Sequence, residues 1–333
     1  MNTPMPTATP LTPIAVLGGS GFIGTTLVRR LTELGLTSRI GDISLSQAFP
    51  DKHFLCDVRE AESLQPVLSG AQALINLAAE HRDDVRPVSR YHETNVEGAR
   101  QVCLAAQTAG IQTLIFTSSV AVYGFHPSPV DESGPFEPFN PYGETKLLAE
   151  GIYRAWAEED PARSLVIIRP TVVFGEGNRG NVYNLLHQIA SGRFMMVGPG
   201  TNLKSMAYVG NVVDALVHSL ALGPGIHVFN YVDTPDLTMN ELVALVHQSL
   251  GRAKPGRWRI PLPMAMAGGH VLDIAARMTG QTFPISSIRI RKFCENTRFL
   301  ATAIRSTGFT SRISLEQALT RTIQSEFGAQ ASI

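Results

Sequence analysis

The clearest indication of the fold is the segment IAVLGGSGFIG at residues 14–24, in which a short apolar run leads directly into a cluster of glycines. A helical pattern follows from Phe22 to Leu34. Gly18, Gly21 and Gly24 have the spacing G-x-x-G-x-x-G, which permits a tight strand-to-helix turn and a close approach of backbone to a phosphate group. The segment therefore predicts a dinucleotide-binding turn, with Phe22 and Ile23 at the start of its helix.

An acidic residue at the end of the second predicted strand indicates which dinucleotide is bound. Asp42 follows Gly18 by 24 residues. A carboxylate at this place accepts hydrogen bonds from both hydroxyls of an adenosine ribose and repels a 2′-phosphate. NAD is therefore favoured over NADP.

Two further strand ends agree with this interpretation. Asp57-Val58 follows the third predicted strand, where a carboxylate can accept a hydrogen bond from the adenine amino group. Asn76 to Ala79 ends the fourth with small residues, which allow the backbone to lie along a cofactor. Taken alone, each segment is also typical of an ordinary strand end.

Short apolar strands alternate with helical stretches over about the first 170 residues, and this alternation predicts a parallel sheet covered on both faces. The predicted fold class is α/β: a Rossmann-type doubly wound sheet with a smaller C-terminal α/β substrate-binding domain. Residues 1–13 are predicted to be a disordered arm and residues 14–175 the NAD-binding domain, with a return of the chain around 206–232. Residues 176–333 are expected to form mainly the substrate-binding domain.

Composition excludes several classes of function. The 333-residue chain is 44% hydrophobic and 17% charged, and its 28 Lys and Arg balance 28 Asp and Glu. A general nucleic-acid binder needs a basic excess, which is lacking. Three scattered cysteines and histidines without ligand spacing predict neither disulfides nor a metal site.

No apolar run is long enough to span a membrane, so a cytoplasmic protein is expected. The apolar stretch Met264–Met278 is predicted to be a buried or packing helix rather than one on a membrane surface.

A second set of residues points to proton transfer. Tyr142 and Lys146 are four residues apart and share one helix face. A nearby ammonium, together with the positive nicotinamide ring, is expected to stabilise the tyrosine phenolate and so bring its pKa into working range. Ser118 and Ser119 follow the fifth predicted strand, at the edge where open α/β sheets bind ligands. Ser119 can then donate to a substrate oxygen while Tyr142 removes its proton.

Taken together, these motifs resemble the extended short-chain dehydrogenases/reductases of the NAD-dependent epimerase/dehydratase family, with UDP-sugar 4-epimerases nearest. The resemblance runs from about Ile14 to Phe309 and includes Asn95, the segment Ser118–Gly124 and Arg169-Pro170. It implies Ser119, Tyr142 and Lys146 as the catalytic residues. The predicted cofactor-binding residues are Gly18, Gly21, Phe22, Ile23, Gly24, Asp42, Asp57, Val58, Leu77, Ala78, Ala79, Asn95, Ser118, Tyr142, Lys146 and Pro170. The resemblance also implies a homodimer built by helices Glu93–Ala109 and Lys146–Ala157.

The segment after Ser119 bears on the reaction. Dehydratases of the family carry Asp and Glu where this chain has Val120 and Ala121, neither of which can move a proton. The expected function is a nucleotide-sugar 4-epimerase acting on a UDP-hexose or UDP-N-acetylhexosamine by transient oxidation at C4. Two alternatives remain open. One is a dehydrogenase or ketoreductase of a nucleotide sugar or a 3β-hydroxysteroid-like alcohol, and the other is a non-catalytic NAD sensor.

Candidate substrate contacts lie mainly in the second half of the chain. Relatives place polar and basic residues against the sugar diphosphate near Asn181, Lys204 and Arg289. The predicted substrate-binding residues are Ser119, Val120, Tyr142, Asn181, Lys204 and Arg289. Val172 replaces an asparagine common in Arg-Pro-x-Asn relatives, which removes one expected contact.

Overall fold

The computed structural model describes residues 11–82, 85–124, 126, 129–252, 259–279 and 287–328, with no side chain described at 277, 288, 289, 291 or 292. Residues 1–10 of the predicted arm lie outside this part of the chain. The described strands are β1 Ile14–Leu17, β2 Ser38–Asp42, β3 His53–Leu55, β4 Ala73–Asn76, β5 Thr113–Thr117, β6 Ser164–Pro170, β7 Val172–Phe174, β8 Met196–Val197, β9 Leu203–Tyr208, β10 Gly225–Tyr231, β11 Asp233–Thr238 and β12 Arg259–Ile260.

The stretches predicted to be helical all overlap helices of the structure, although the helix Pro141–Glu158 begins five residues before its predicted start at Lys146. The helices are α1 Phe22–Glu33, α2 Ala61–Leu68, α3 Ser89–His92, α4 Gly98–Thr108, α5 Pro141–Glu158, α6 Asn181–Ala190, α7 Val209–Ser219, α8 Met239–Ser249, α9 Leu262–Thr279, α10 Ser287–Cys294, α11 Thr302–Ser306 and α12 Leu315–Phe327. A π-helical turn at Glu93–Glu97 joins α3 to α4, and short 3₁₀ turns occur at Pro50–Lys52 and Val120–Val122.

Seven strands among the described residues form one parallel sheet in the order β10-β6-β5-β4-β1-β2-β3. The chain runs outward from β1 to β3 and then crosses back to β4 on the other side of β1. This reversal creates a crevice at the carboxyl ends of β1 and β4, where Leu17 lies beside Asn76. Ligands of open α/β sheets bind at such switch points, and the expected Rossmann-type fold is confirmed.

Two apolar layers cover the sheet. On one face α2, α4 and α5 pack through residues such as Leu64, Val102 and Tyr153. On the other face α1 and α7 pack together, and their layer continues into the core of the second domain. The return of the chain places β10 at the sheet edge beside β6. The second domain contains the three-stranded sheet β11-β9-β7, so its sheet includes Val172–Phe174, which the predicted boundary at residue 175 assigned to the NAD-binding domain.

A buried ion pair joins α5 to the sheet. The Arg169 guanidinium, at the end of β6, contacts both carboxylate oxygens of Glu150 at 2.8 and 2.5 Å. It also donates to the Tyr123 hydroxyl at 2.6 Å, and that hydroxyl donates to Asn230 Oδ1 at 2.8 Å. Arg169, Tyr123 and Glu150 are all essentially inaccessible to solvent. The network therefore fixes the rotation of α5 about its own axis.

The prediction that Met264–Met278 form a buried or packing helix is wrong for one face of that helix. These residues do form a helix, α9, and one side of it packs on α10. Large apolar side chains on its other side, including Val271 and Ile274, are exposed. Helical periodicity alone does not reveal this, because an apolar face looks the same whether or not another element covers it.

Replacing Glu150 with Gln should lower the free energy of unfolding by about 3–5 kcal/mol, because Arg169 then keeps a buried charge without its counter-ion. Urea-induced unfolding measures the change. Glu97→Gln, which breaks the exposed pair with Arg100, is the matched control and should cost at most about 1 kcal/mol. Equal stability of the two variants would contradict the anchoring role of the pair.

Candidate active site

The glycine-rich turn lies where the sequence predicts it, between β1 and α1. Gly18 has a φ of +73°, and a Cβ at this position would lie 2.7 Å from the backbone nitrogen of Ala78. A Cβ at Gly24 would lie 2.4 Å from the carbonyl oxygen of Gly18. No side chain caps the start of α1, so its first N–H groups point into the turn. The turn can therefore hold a pyrophosphate against the helix N-terminus.

Asp42 ends β2 beside this turn. One carboxylate oxygen accepts a hydrogen bond from the Ser20 backbone nitrogen at 3.0 Å, and the other accepts one from Ser44 at 2.9 Å. These two bonds hold the carboxylate at the rim of the glycine turn. Each oxygen keeps a second lone pair, which is what binding of two ribose hydroxyls requires.

Asp57 has a neighbour that the sequence analysis missed. The Arg59 guanidinium donates to both Asp57 carboxylate oxygens, at 2.5 and 2.9 Å. This hydrogen-bonded partner lowers the pKa of Asp57, so the group is a fixed anion. The sequence signal for this pair was the spacing of two residues between Asp57 and Arg59. Val58 is buried and lies under Gly98, which makes it part of the floor of this region.

Two asparagines shape the backbone opposite the glycine turn. Asn76 accepts a hydrogen bond from the Ala78 nitrogen and donates to Tyr153. Asn95, in the π-helical turn, bonds to both backbone groups of Glu80 and donates to Thr145 at 3.0 Å. The side chain of Asn95 therefore ties the segment after β4 to α5.

Tyr142 and Ser119 are brought together by the start of α5. The helix begins at Pro141 and not at Lys146, because Asn140 accepts a hydrogen bond from the Gly143 nitrogen at 2.8 Å and Pro141 occupies the first turn. Asn140-Pro141 was a readable capping signal. A Cβ on Gly143 would lie 2.5 Å from the Ala121 carbonyl oxygen. This close approach sets the first turn of α5 against the 3₁₀ turn that Ser119 caps.

The Tyr142 hydroxyl lies near the Ser119 side chain. Desolvation raises the pKa of Tyr142 to about 12, and the nearby Ser119 lowers it only in part. The expected activation is thus not supplied by the protein without its cofactor. Positive charge from a bound cofactor is what the predicted phenolate chemistry needs.

Lys146 lies one helical turn further along α5 and is buried. Its Nζ donates to the Thr117 carbonyl oxygen at 2.7 Å and lies 4.5 Å from the centre of the Phe116 ring. Desolvation lowers the pKa of Lys146 to about 7, while Glu150 raises it. With a pKa near neutrality, Lys146 can be shifted between its ammonium and neutral amine forms by a nearby charge.

A buried hydroxyl supports cofactor binding at this edge. Ser118 Oγ, at the end of β5, has no hydrogen-bond partner among the described residues. A buried hydroxyl without a partner is costly, so Ser118 Oγ is available to form a hydrogen bond with a ligand bound at this edge. Together with the cradle at Gly18 and Gly24, this fits a dinucleotide laid across the carboxyl ends of β1, β4 and β5. Pro170, at the end of β6, is buried at the same edge.

The predicted substrate contacts are less closely grouped. Asn181 is exposed at the first position of α6. Lys204 Nζ, on β9, donates to the Glu295 carbonyl oxygen at 2.7 Å, and desolvation lowers the pKa of Lys204 to about 8. The side chain of Arg289 lies outside the described residues. Val120 is half-buried beside Ser119, and Tyr142 lines a small cleft with Arg86 and Tyr91.

Comparison with known proteins assigns this arrangement to a family. Residues 14–230 match the model of the NAD dependent epimerase/dehydratase family. The chain is 48% identical over 317 residues to N-acetyl-alpha-D-glucosaminyl-diphospho-ditrans,octacis-undecaprenol 4-epimerase from Escherichia coli O157:H7. That match covers 94% of this chain and 95% of the relative.

Solved structures share the fold at lower identity. UDP-N-acetylglucosamine 4-epimerase from Methanobrevibacter ruminantium M1 is similar with a TM-score of 0.72 and 21% identity, covering 95% of this chain and 98% of that one. The UDP-glucose 4-epimerase of Thermus thermophilus, in complex with NAD, has a TM-score of 0.72 and 19% identity, with 95% and 99% coverage.

These findings confirm the resemblance seen in the motifs, together with the predictions of an enzyme of epimerase type and of NAD as its cofactor. The chain belongs to the NAD-dependent epimerase/dehydratase family.

Proposed function

We propose that this protein is a 4-epimerase of an N-acetylhexosamine joined through a diphosphate to a polyprenyl carrier. The observation that carries the proposal is 48% identity across 94% of the chain to an enzyme named for that reaction. The sugar–diphosphate part is common to this substrate and to the UDP-sugars of the solved relatives. The carrier is where the proposal departs from the nucleotide expected from the sequence motifs.

In this proposal Ser119, Tyr142 and Lys146 perform the chemistry. Tyr142 takes the proton from the C4 hydroxyl and later returns it, while Ser119 orients the C4 oxygen. NAD, when bound, supplies the acceptor and then the donor of the C4 hydride. Lys146 stabilises the deprotonated Tyr142 electrostatically from its position on the same face of α5. Between the two transfers, the 4-keto sugar turns about its bond to the diphosphate and presents its other face.

The surroundings of the proposed site favour epimerisation over loss of water. Val120 and Ala121 stand where dehydratases carry an acid and a base, and neither can transfer a proton. Val120 also packs against a small apolar cluster that includes Tyr123. Elimination of water from the keto sugar therefore lacks its proton-transfer groups.

We further propose the binding roles predicted from the motifs. The proposed NAD contacts are Gly18, Gly21, Phe22, Ile23, Gly24, Asp42, Asp57, Val58, Leu77, Ala78, Ala79, Ser118 and Pro170, with Asn95 as a positioning residue. Lys204 and Asn181 are proposed to bind the diphosphate. An enzyme that uses NAD is proposed to work on the cytoplasmic side of the membrane that holds its lipid-linked substrate.

Tyr142→Phe should lower kcat by at least about 100-fold, because the variant lacks the hydroxyl that exchanges the proton. Sugar conversion is followed by chromatography of the released monosaccharides, and NAD binding by fluorescence should remain. Tyr183→Phe is the matched control, since the Tyr183 ring packs on Phe327 in the second domain, and it should retain activity. Undiminished turnover by Tyr142→Phe would refute the mechanism.

Substrate choice is tested by incubating the purified enzyme with polyprenyl-diphospho-N-acetylglucosamine or with UDP-N-acetylglucosamine. We expect at least about tenfold faster conversion of the lipid-linked sugar to its 4-epimer, without net formation of NADH. Faster conversion of the UDP-sugar would restore the nucleotide-sugar alternative. Formation of one NADH per substrate would indicate a dehydrogenase. If no substrate is converted, the result would favour the non-catalytic NAD sensor.

A homodimer through α4 and α5 is proposed from the exposed leucines on these two packed helices, Leu104 and Leu148. Trp156, in contrast, is buried within the subunit. Leu104→Arg combined with Leu148→Arg should halve the mass measured by sedimentation equilibrium. An unchanged mass would contradict this interface.

A further inference from the structure

Helix α9 carries a continuous apolar stripe on its outer face. The stripe consists of Met264, Ala267, Val271, Ile274 and Met278. Their spacing of three and four residues places them on one side of the 18-residue helix. The four larger side chains are between 57% and 83% exposed. Single exposed apolar residues are ordinary, but an aligned series marks a binding surface.

The inner face of α9 is fixed, so the stripe cannot turn inward. A Cβ at Gly269 would lie 2.9 Å from Ser287 Cα, which shows how closely α10 crosses the helix there. Asp273 accepts hydrogen bonds from both the Ser287 nitrogen and its hydroxyl, at 3.2 and 2.5 Å. These contacts hold α9 and α10 as a hairpin with the stripe facing solvent.

The segment that contains the hairpin is strongly basic. Residues 252–298 include nine Lys and Arg but only two Asp and Glu, although the whole chain is balanced at 28 of each. Helix α9 itself contains one basic residue, Arg277, and one acidic residue, Asp273, so the positive charge comes from the flanking parts of the segment. Basic residues that flank an apolar helix are attracted to an anionic membrane surface. None of the described helices is long and apolar enough to cross a membrane.

The hairpin is attached beside the proposed diphosphate contact. Helix α10 ends at Cys294, and the next residue, Glu295, accepts the hydrogen bond from Lys204 through its carbonyl oxygen. Asn202 donates to the Phe293 carbonyl oxygen within α10 at 2.8 Å. In a lipid-linked substrate the diphosphate lies between the sugar and the polyprenyl chain. The protein surface next to the diphosphate is therefore the one that must meet the bilayer.

We propose that the outer face of α9 is a membrane-docking surface that seats the enzyme on an anionic bilayer, with the apolar stripe entering the interfacial region. The proposal rests on the proposed function for the identity of the substrate. A second copy of the chain is the less favoured occupant, because the net positive charge of residues 252–298 attracts an anionic lipid surface and repels an identical segment. The stripe thus serves to present the site to a substrate that cannot leave the membrane.

The first experiment measures co-sedimentation of the full chain with vesicles of phosphatidylethanolamine and phosphatidylglycerol at low salt. Wild-type protein should sediment with them, and Ile274→Glu combined with Met278→Glu should weaken binding at least about tenfold. Leu55→Glu, at a 76% exposed apolar position on β3, is the matched control and should bind like wild type. Each variant is checked by its unfolding midpoint.

The results separate this proposal from the enzymatic one. The Ile274→Glu, Met278→Glu variant should keep wild-type activity on polyprenyl-diphospho-N-acetylglucosamine in detergent and lose it on the same lipid embedded in vesicles. Vesicle binding equal to wild type, or failure of wild type to bind vesicles, would overturn the docking surface. A change in oligomeric mass with unchanged vesicle binding would also overturn it, in favour of a second copy. Vesicle binding without any epimerisation would instead overturn the proposed function.

Discussion

The ion pair between Arg169 and Glu150 is the contact on which the geometry of the proposed site depends. Glu150 is four residues beyond Lys146 and eight beyond Tyr142, so all three share one face of α5. When Arg169 holds Glu150 from the end of β6, the same face is turned toward the carboxyl edge of the sheet. Leaving either charge alone in this interior would cost several kcal/mol, which strongly disfavours any other rotation of the helix.

Desolvation is the main cause of the shifted pKa values of Tyr142 and Lys146, the two titratable groups of the proposed site on α5. It raises the pKa of Tyr142 to about 12 and lowers the pKa of Lys146 to about 7, so burial shifts both groups toward their neutral forms. Such a site is poised to respond to added positive charge, because fields act strongly where water is excluded. Positive charge from a bound cofactor would lower the pKa of Tyr142 and so favour its ionisation only when the cofactor site is occupied.

Much of the NAD-binding half could be predicted because its signals are local. The glycine spacing, Asp42 and the alternation of strands with helices each depend on neighbours in sequence. The start of α5 was placed too late, although Asn140-Pro141 announces it, because the apolar periodicity becomes regular only after Lys146. The pairing of Arg59 with Asp57 and the hydrogen bonds of Asn95 to Glu80 and Thr145 were not predicted, because contacts between single polar side chains produce no periodic pattern in the sequence.

The amino-acid sequence alone correctly predicted the family and the cofactor, and it supplied the proposed trio Ser119, Tyr142 and Lys146, since each prediction depends on residue types at short and regular spacings. Only the folded chain shows which distant segments come into contact. The Ala121 carbonyl lies close to Gly143, Arg169 forms an ion pair with Glu150, and Ser118 has no hydrogen-bond partner among the described residues. It also decided that one face of α9 is covered and the other bare. Coverage is a property of packing between elements, and a linear pattern of apolar residues carries no record of it.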